Sequence, residues 1–115
     1  LDACPTNAII QEYVVDANKC ISFQTIESKD EIPVELKGKF DNWIFCCYIC
    51  QDVCPWNNKF SVVTSIKDFY QQNKELSFDA VLTLDNHSIK ERFSESPIKR
   101  TKLNGLQRNA KFLFE

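Results

Sequence analysis

The sequence predicts an α+β fold: a cysteine-rich module over residues 1–60, followed by an α-helical extension over residues 61–115. Three observations carry this reading. All six cysteines lie in the first 60 residues, among short β-branched stretches bounded by Asn and Asp. Beyond residue 60 the apolar residues fall at helical spacing behind capping residues. A chain of 115 residues is at most one small domain, so cysteine staples or metal would help it fold.

In chain order, Cys4-Pro5 marks a turn, and Ala8–Ile10 and Tyr13–Val15 read as two short strands ahead of a turn at Asp16-Ala17-Asn18. "ISFQTIES" suits a short helix starting after Cys20. "KDEIPVELKGKFDNW" is a polar connection with Pro33, Gly38 and one helical turn at Val34–Lys37. "IFCCYICQDVCPWN" is a cysteine loop, part helical between Cys47 and Val53. In "TSIKDFYQQNKEL", Ile66, Phe69 and Tyr70 share a helical stripe with Thr64 or Ser65 as cap. "LTLDNHSIKERFSES" repeats the pattern with Leu84, Ile89 and Phe93, and Thr83 as cap. Pro97 interrupts, Gly105 marks a turn, and "LQRNAKFLFE" is helical, ending abruptly on Phe112, Leu113 and Phe114. That end, a start on Leu-Asp and a first cysteine at position 4 suggest a piece of a longer protein. The tail holds no internal repeat.

No apolar run approaches the roughly 18 residues of a membrane helix, and no signal peptide opens the chain. The expectation is a monomeric, cytoplasmic chain with no membrane partner. Net charge is uneven: residues 1–60 carry five Lys against nine Asp or Glu, while residues 90–115 carry seven Lys or Arg against three Glu. A basic tail attracts polyanions, although a solvated helix face has the same composition. His87 stands alone on a polar helix and reads as surface.

The cysteines carry the chemistry. Two-cluster ferredoxins of the bacterial type use C-x2-C-x2-C-x3-C-P, with the fourth cysteine serving the other cluster. Cys47, Cys50 and Cys54-Pro55 follow the last part of that run. Its first cysteine is missing at Ile44, and the nearest one upstream is Cys20, with 26 residues between Cys20 and Cys47. The half-motif then reads C-x26-C-x2-C-x3-C-P, an insertion whose closure cost rises only slowly with length. Cys4-Pro5 fits the fourth cysteine of a preceding half-motif. By the exchange rule, Cys4, Cys20, Cys47 and Cys50 hold one [4Fe–4S] cluster and Cys54 serves a second. The module is thus a ferredoxin-like two-[4Fe–4S] unit truncated at its N-terminus. Cys46 is surplus; it could replace Cys47, but the x2 spacing to Cys50 favours Cys47. Two alternatives stay open. Disulfides are compatible with an even cysteine count but poorly served by adjacent Cys46 and Cys47. A zinc site would use the Cys47/Cys50 pair but leaves both Cys-Pro elements unexplained.

"ACPTNAI", "DANKCISFQTIE" and "IFCCYICQDVCPWN", in this order, resemble epoxyqueuosine reductase, an iron–sulfur and cobalamin enzyme of tRNA queuosine biosynthesis; "SPIKRTKLNGLQRNAKFL" is similar to the family's segment beyond its cluster domain. The resemblance covers most of the chain. It implies an oxidoreductase whose cobalamin-binding catalytic domain lies upstream, so no residue here is assigned a catalytic role. It also implies that clusters pass electrons to cobalamin, which removes the epoxide oxygen of epoxyqueuosine in tRNA. Cys4, Cys20, Cys47 and Cys50 match the second cluster's ligands, and Cys54 the ligand lent to the first. The implied partners are tRNA and an electron donor such as a reductase, flavodoxin or ferredoxin. Lys99, Arg100, Lys102, Arg108 and Lys111 are candidate contacts to tRNA phosphates. Ser22, Thr25 and Glu27, on the insertion, are candidates to face the cofactor cleft, with a helix cap and solvent face as the plain alternative. Trp56 is expected to shield a cluster from water, with ordinary core as its alternative. The family usually has Gly-Cys-Asp at Cys46-Cys47-Tyr48, Tyr at Phe23 and an apolar residue at Gln24. Those departures bear on local backbone geometry and polar contacts, not on the ligands. The competing functions are a different ferredoxin-type electron-transfer protein and a zinc-stabilised RNA-binding module.

Overall fold

The Cys4-Pro5 turn, closed by the Asn7 N–H on the Cys4 carbonyl at 3.1 Å, leads into the two strands, in a computed structural model that describes residues 2–70 and 76–115. Strands β1 (Ile9–Gln11) and β2 (Val14–Val15) pair antiparallel, Ile9 opposite Val15 and Gln11 opposite Val14. They form the two-stranded sheet expected, displaced by one residue. The Asp16 carboxylate accepts from the Asn18 N–H at 3.0 Å and starts a 3-10 turn over Ala17–Lys19. This local competition for backbone N–H groups is what makes Asp-x-Asn a turn.

The segment after Cys20 is helical, as the sequence suggests, but over Phe23–Glu27 it is wound as a π-helix, with the Ser28 N–H reaching the Phe23 carbonyl at 3.0 Å. A 3-10 turn lies at Val34–Leu36, and Gly38, with φ +76°, takes the left-handed conformation that ends it. Helices α1 (Ile49–Asp52) and α2 (Pro55–Phe60) hold the cysteine loop. Pro55 at the first position of α2 has the ring-fixed φ a helix start needs, which explains Cys54-Pro55 as a loop-to-helix joint.

Three expectations are corrected in the second half. The stripe at Ile66, Phe69 and Tyr70 is not one helix: a 3-10 turn covers Lys67–Phe69, with the Thr64 hydroxyl accepting from the Ile66 N–H at 3.1 Å, and residues 71–75 of that expectation lie outside the described residues. The segment around Thr83 holds two helices, α3 (Phe78–Thr83) and α4 (Asn86–Arg92), and the cap of α4 is Asp85, whose carboxylate accepts from the Ser88 N–H at 2.7 Å. Gly105 does not mark a turn. It lies inside α5 (Lys102–Phe114), which comes after the 3-10 turn Pro97–Arg100. A Cβ there would stand 2.5 Å from Thr101 Oγ1, so the glycine serves a close approach rather than a bend.

Helix α5 joins two apolar clusters. Leu106 and Ala110 pack with Val81, Ile89 and Phe93, against which Ile44 and Phe45 also lie. Phe112 and Leu113 pack against Ile21, Ile32, Leu36 and Phe40. In the apolar run that ends the sequence, the half-buried Phe112 ring meets Phe40 at 5.1 Å, while the Phe114 ring, though exposed, meets Phe78 at 4.3 Å. Gln107 Nε2 donates to the carbonyls of Leu82 and Leu84 at 3.2 and 3.1 Å, satisfying acceptors at the end of α3. Among the described residues no helix is long and apolar enough to cross a membrane.

Candidate metal centre

All six cysteines are free thiols, and the four expected to act together lie on three segments. Cys4 belongs to the first turn, Cys20 ends the 3-10 turn before the π-helix, Cys47 precedes α1 and Cys50 lies within it. Their proximity registers electrostatically. Burial pushes the Cys47 thiol above its ordinary value, the Ile49 N–H opposes this, and charge on Cys50, Cys20 and Cys46 raises it further. Burial raises Cys50 too, and charge on Cys4 and Cys20 adds to it. Cys4 goes the other way. Burial alone would raise it, but the Thr6 hydroxyl and the N–H groups of Ala8, Thr6 and Ile9 outweigh burial and hold it below its ordinary value. The Ala8 N–H lies 3.3 Å and the Thr6 hydroxyl 3.5 Å from Cys4 Sγ. A thiol dressed with N–H and O–H donors is prepared to carry charge as thiolate.

Among the described residues no three His, Cys, Asp or Glu side chains close around a single ion. A cubane makes a different demand. Each of its four irons takes one thiolate, so four sulfurs arranged around an iron–sulfide body stand farther apart than four around one zinc. The donor set here is thiol only, the ligand chemistry that such a body takes.

Cys54, half-buried, sits at the N-terminal end of α2, beyond this set. Cys46 has φ +63°, the left-handed region. Its N–H donates to Thr25 Oγ1 at 3.0 Å, and its Sγ lies 3.6 Å from the Ser22 hydroxyl.

The first 57 residues match the family described as a 4Fe-4S double cluster binding domain. The chain is 49% identical to epoxyqueuosine reductase of Leadbetterella byssophila over 115 residues, all of this chain and 37% of that protein. It is 50% identical to the enzyme of Cellulophaga algicola, covering 98% of this chain and 37% of that one. The chain belongs to the epoxyqueuosine reductase family. It spans about 37% of the length of these curated relatives. The solved epoxyqueuosine reductase of Streptococcus thermophilus superposes with a TM-score of 0.77 at 34% identity, over 97% of this chain and 29% of that one. An epoxyqueuosine reductase crystallised with an epoxyqueuosine-modified tRNA stem loop gives 0.76 at 32%, over 97% and 30%.

At Cys46, where the resemblance implies Gly, a non-glycine residue occupies a left-handed backbone position. Gln24, where the resemblance implies an apolar residue, is buried; its Nε2 reaches the Asn18 carbonyl at 2.7 Å while Oε1 has no partner.

The candidate cofactor-cleft and tRNA residues separate sharply. Ser22 is half-buried, its hydroxyl 3.4 Å from the Cys47 carbonyl, beside the thiols. Thr25 faces no cleft: it is fully buried, its hydroxyl donating to the Ile21 carbonyl at 2.8 Å. Glu27 is exposed and pairs with Arg100 at 2.8 Å. Arg108 is committed to the fold as well, its guanidinium donating to the carbonyls of Ser28, Asp30 and Gln24 and so tying down the insertion between Cys20 and Cys47. Burial lowers its pKa, with Glu31 and Asp30 opposing. Lys99, Lys102 and Lys111 are exposed; Lys99 Nζ donates to the Ser94 carbonyl at 2.7 Å. Trp56 is 71% exposed and stacked on Phe60 at 5.4 Å, not part of an apolar core. His87 is exposed beside Glu91, in agreement with its surface reading. Sequence reasoning missed Asn109 and Gln107. The signal was present, two amides on the apolar side of an amphipathic helix, but their partners are backbone carbonyls that no residue pattern names.

Proposed function

We propose that this chain is the cluster-carrying, electron-transfer part of an epoxyqueuosine reductase. The observation that supports it best is the convergence of Cys4, Cys20, Cys47 and Cys50 from three segments. They hold one [4Fe–4S] cluster as thiolates in a ferredoxin-like arrangement, and Cys54 lends its thiolate to a second whose other ligands come from elsewhere in the protein. When bound, the clusters supply one-electron transfer toward a cobalamin, for removal of the epoxide oxygen of epoxyqueuosine in tRNA. This chain's own task is to present the thiolates, keep Cys4 ready to ionise and hold the insertion in place. The helical extension over residues 61–115 braces the thiol-bearing residues 1–60. Its exposed Lys99, Lys102 and Lys111, with Arg100, offer cations to tRNA phosphates; Arg108 contributes by holding the fold. The working protein is a cytoplasmic monomer that accepts electrons from a reductase, flavodoxin or ferredoxin.

Anaerobic purification of the intact protein tests this by iron, sulfide and zinc content and by absorption spectrum. The expected result is two clusters, with Cys20→Ser removing one of them. Zinc without sulfide, or full cluster content in Cys20→Ser, overturns the reading.

A further inference from the structure

A buried polar network links α5 to two of the three chain segments that carry the thiols. At its centre is Thr25, fully buried. Its hydroxyl oxygen accepts from the Cys46 N–H at 3.0 Å and donates to the Ile21 carbonyl at 2.8 Å. Its carbonyl accepts from Thr101 Oγ1 and from Asn109 Nδ2, both at 2.8 Å. The second hydrogen of the Asn109 amide goes to the Ile44 carbonyl at 3.0 Å. Asn109, 1% exposed, therefore spans the arm that leaves Cys20 and the arm that enters Cys46-Cys47.

We infer that Thr25, on the π-helix, and Asn109, on α5, are positioning residues for the cluster, together setting the separation between the Cys20 and Cys47 arms. The physical reason lies in what else joins these arms. The π-helix after Cys20 and the irregular backbone of 41–48 share no strand pairing, so their register falls to side-chain bonds. A buried amide with two fixed acceptors is a rigid spacer, because breaking either bond strands a carbonyl away from water. The Cys46 backbone needs such a restraint, since its left-handed conformation is unfavourable for a residue with a Cβ. Gly105 belongs to the same device: only a residue without a Cβ leaves Thr101 Oγ1 where it meets the Thr25 carbonyl.

This inference rests on the cluster reading, and the experiment separates the two. In the intact, cluster-loaded protein, Thr25→Val keeps side-chain shape but removes the acceptor for the Cys46 N–H; Thr25→Ser restores it. Asn109→Ala removes the spacer and leaves the Thr25 hydroxyl in place. Val81→Ala, in the apolar cluster and making no side-chain bond to the network, is the control for general destabilisation. The measurements are iron release to a chelator and the electron paramagnetic resonance spectrum of the reduced cluster, each compared with unfolding midpoint. Thr25→Val and Asn109→Ala are expected to release iron about fivefold faster than the unsubstituted protein, the factor that one ordinary hydrogen bond carries. Their spectra should shift, while Thr25→Ser and Val81→Ala behave as the unsubstituted protein. If Thr25→Val and Val81→Ala lose iron equally at matched midpoints with unchanged spectra, the positioning role is refuted. If the unsubstituted protein binds iron without sulfide, the cluster reading fails first. Should Thr25→Val not fold, Asn109→Ala against Val81→Ala decides the question alone.

Discussion

Replacing Gly105 by Ala reverses the usual expectation for a helix interior. Alanine is about 1 kcal/mol better than glycine there, so α5 by itself would gain. The new Cβ, however, would stand 2.5 Å from Thr101 Oγ1, far inside van der Waals contact. The hydroxyl must rotate away from the Thr25 carbonyl, now 2.8 Å distant, and being 3% exposed it finds no water in exchange. Stranding a buried polar group costs about 1–3 kcal/mol. The net expectation is a loss of about 1 kcal/mol, a fivefold fall in hydrogen-exchange protection of the α5 amides in the intact protein. A double-mutant cycle sharpens the test. In a Thr101→Ala background the hydroxyl is gone and the nearest remaining Thr101 side-chain atom, its Cβ, stands 3.6 Å away, an ordinary contact. Gly105→Ala should then raise protection by about the propensity term. A rise in the single variant, or a loss that persists without the Thr101 hydroxyl, refutes the reasoning.

Arg108→Ala should lower the same protection by about 2 kcal/mol, since bonds from a charged donor are the stronger ones, yet leave the salt dependence of tRNA binding unchanged. Lys102→Glu should instead flatten the plot of log affinity against log salt by about one unit, measured by filter binding. Cys46→Gly should retain full iron and sulfide content and unfold at equal or higher denaturant, because glycine accepts φ +63° without strain; loss of cluster would make Cys46 a ligand. The Asp85 cap predicts a pH signature: the Ser88 N–H holds its carboxyl below the ordinary value. Its stabilising effect is therefore present above the ordinary carboxylate range and lost as pH falls through the depressed value. The stability gap between the unsubstituted protein and Asp85→Ala should close below about pH 4.

The amino-acid order by itself determined the local elements and the chemistry of the ligands. Asp16 and Asn18 fold their own turn, Cys54-Pro55 presets a helix start, and the cysteine spacing with two Cys-Pro joints favours iron–sulfide over zinc without reference to the fold. These are short-range effects, decided within a few residues. Tertiary structure decided which polar groups are spent inside. Thr25 and Arg108 read as cleft and phosphate residues, and Asn109 draws no reading at all, only while their partners, the carbonyls of Ile21, Ser28 and Ile44, are invisible. A carbonyl is present in every residue, so its position in space cannot be read from side-chain type. Gly105 is the same case: chain order suggests a turn, and only the approach of Thr101 to Thr25 reveals why a Cβ is excluded. Packing across distant segments, with α5 pressed against two apolar clusters, sets those partnerships, and it is long-range burial rather than local preference that fixes them.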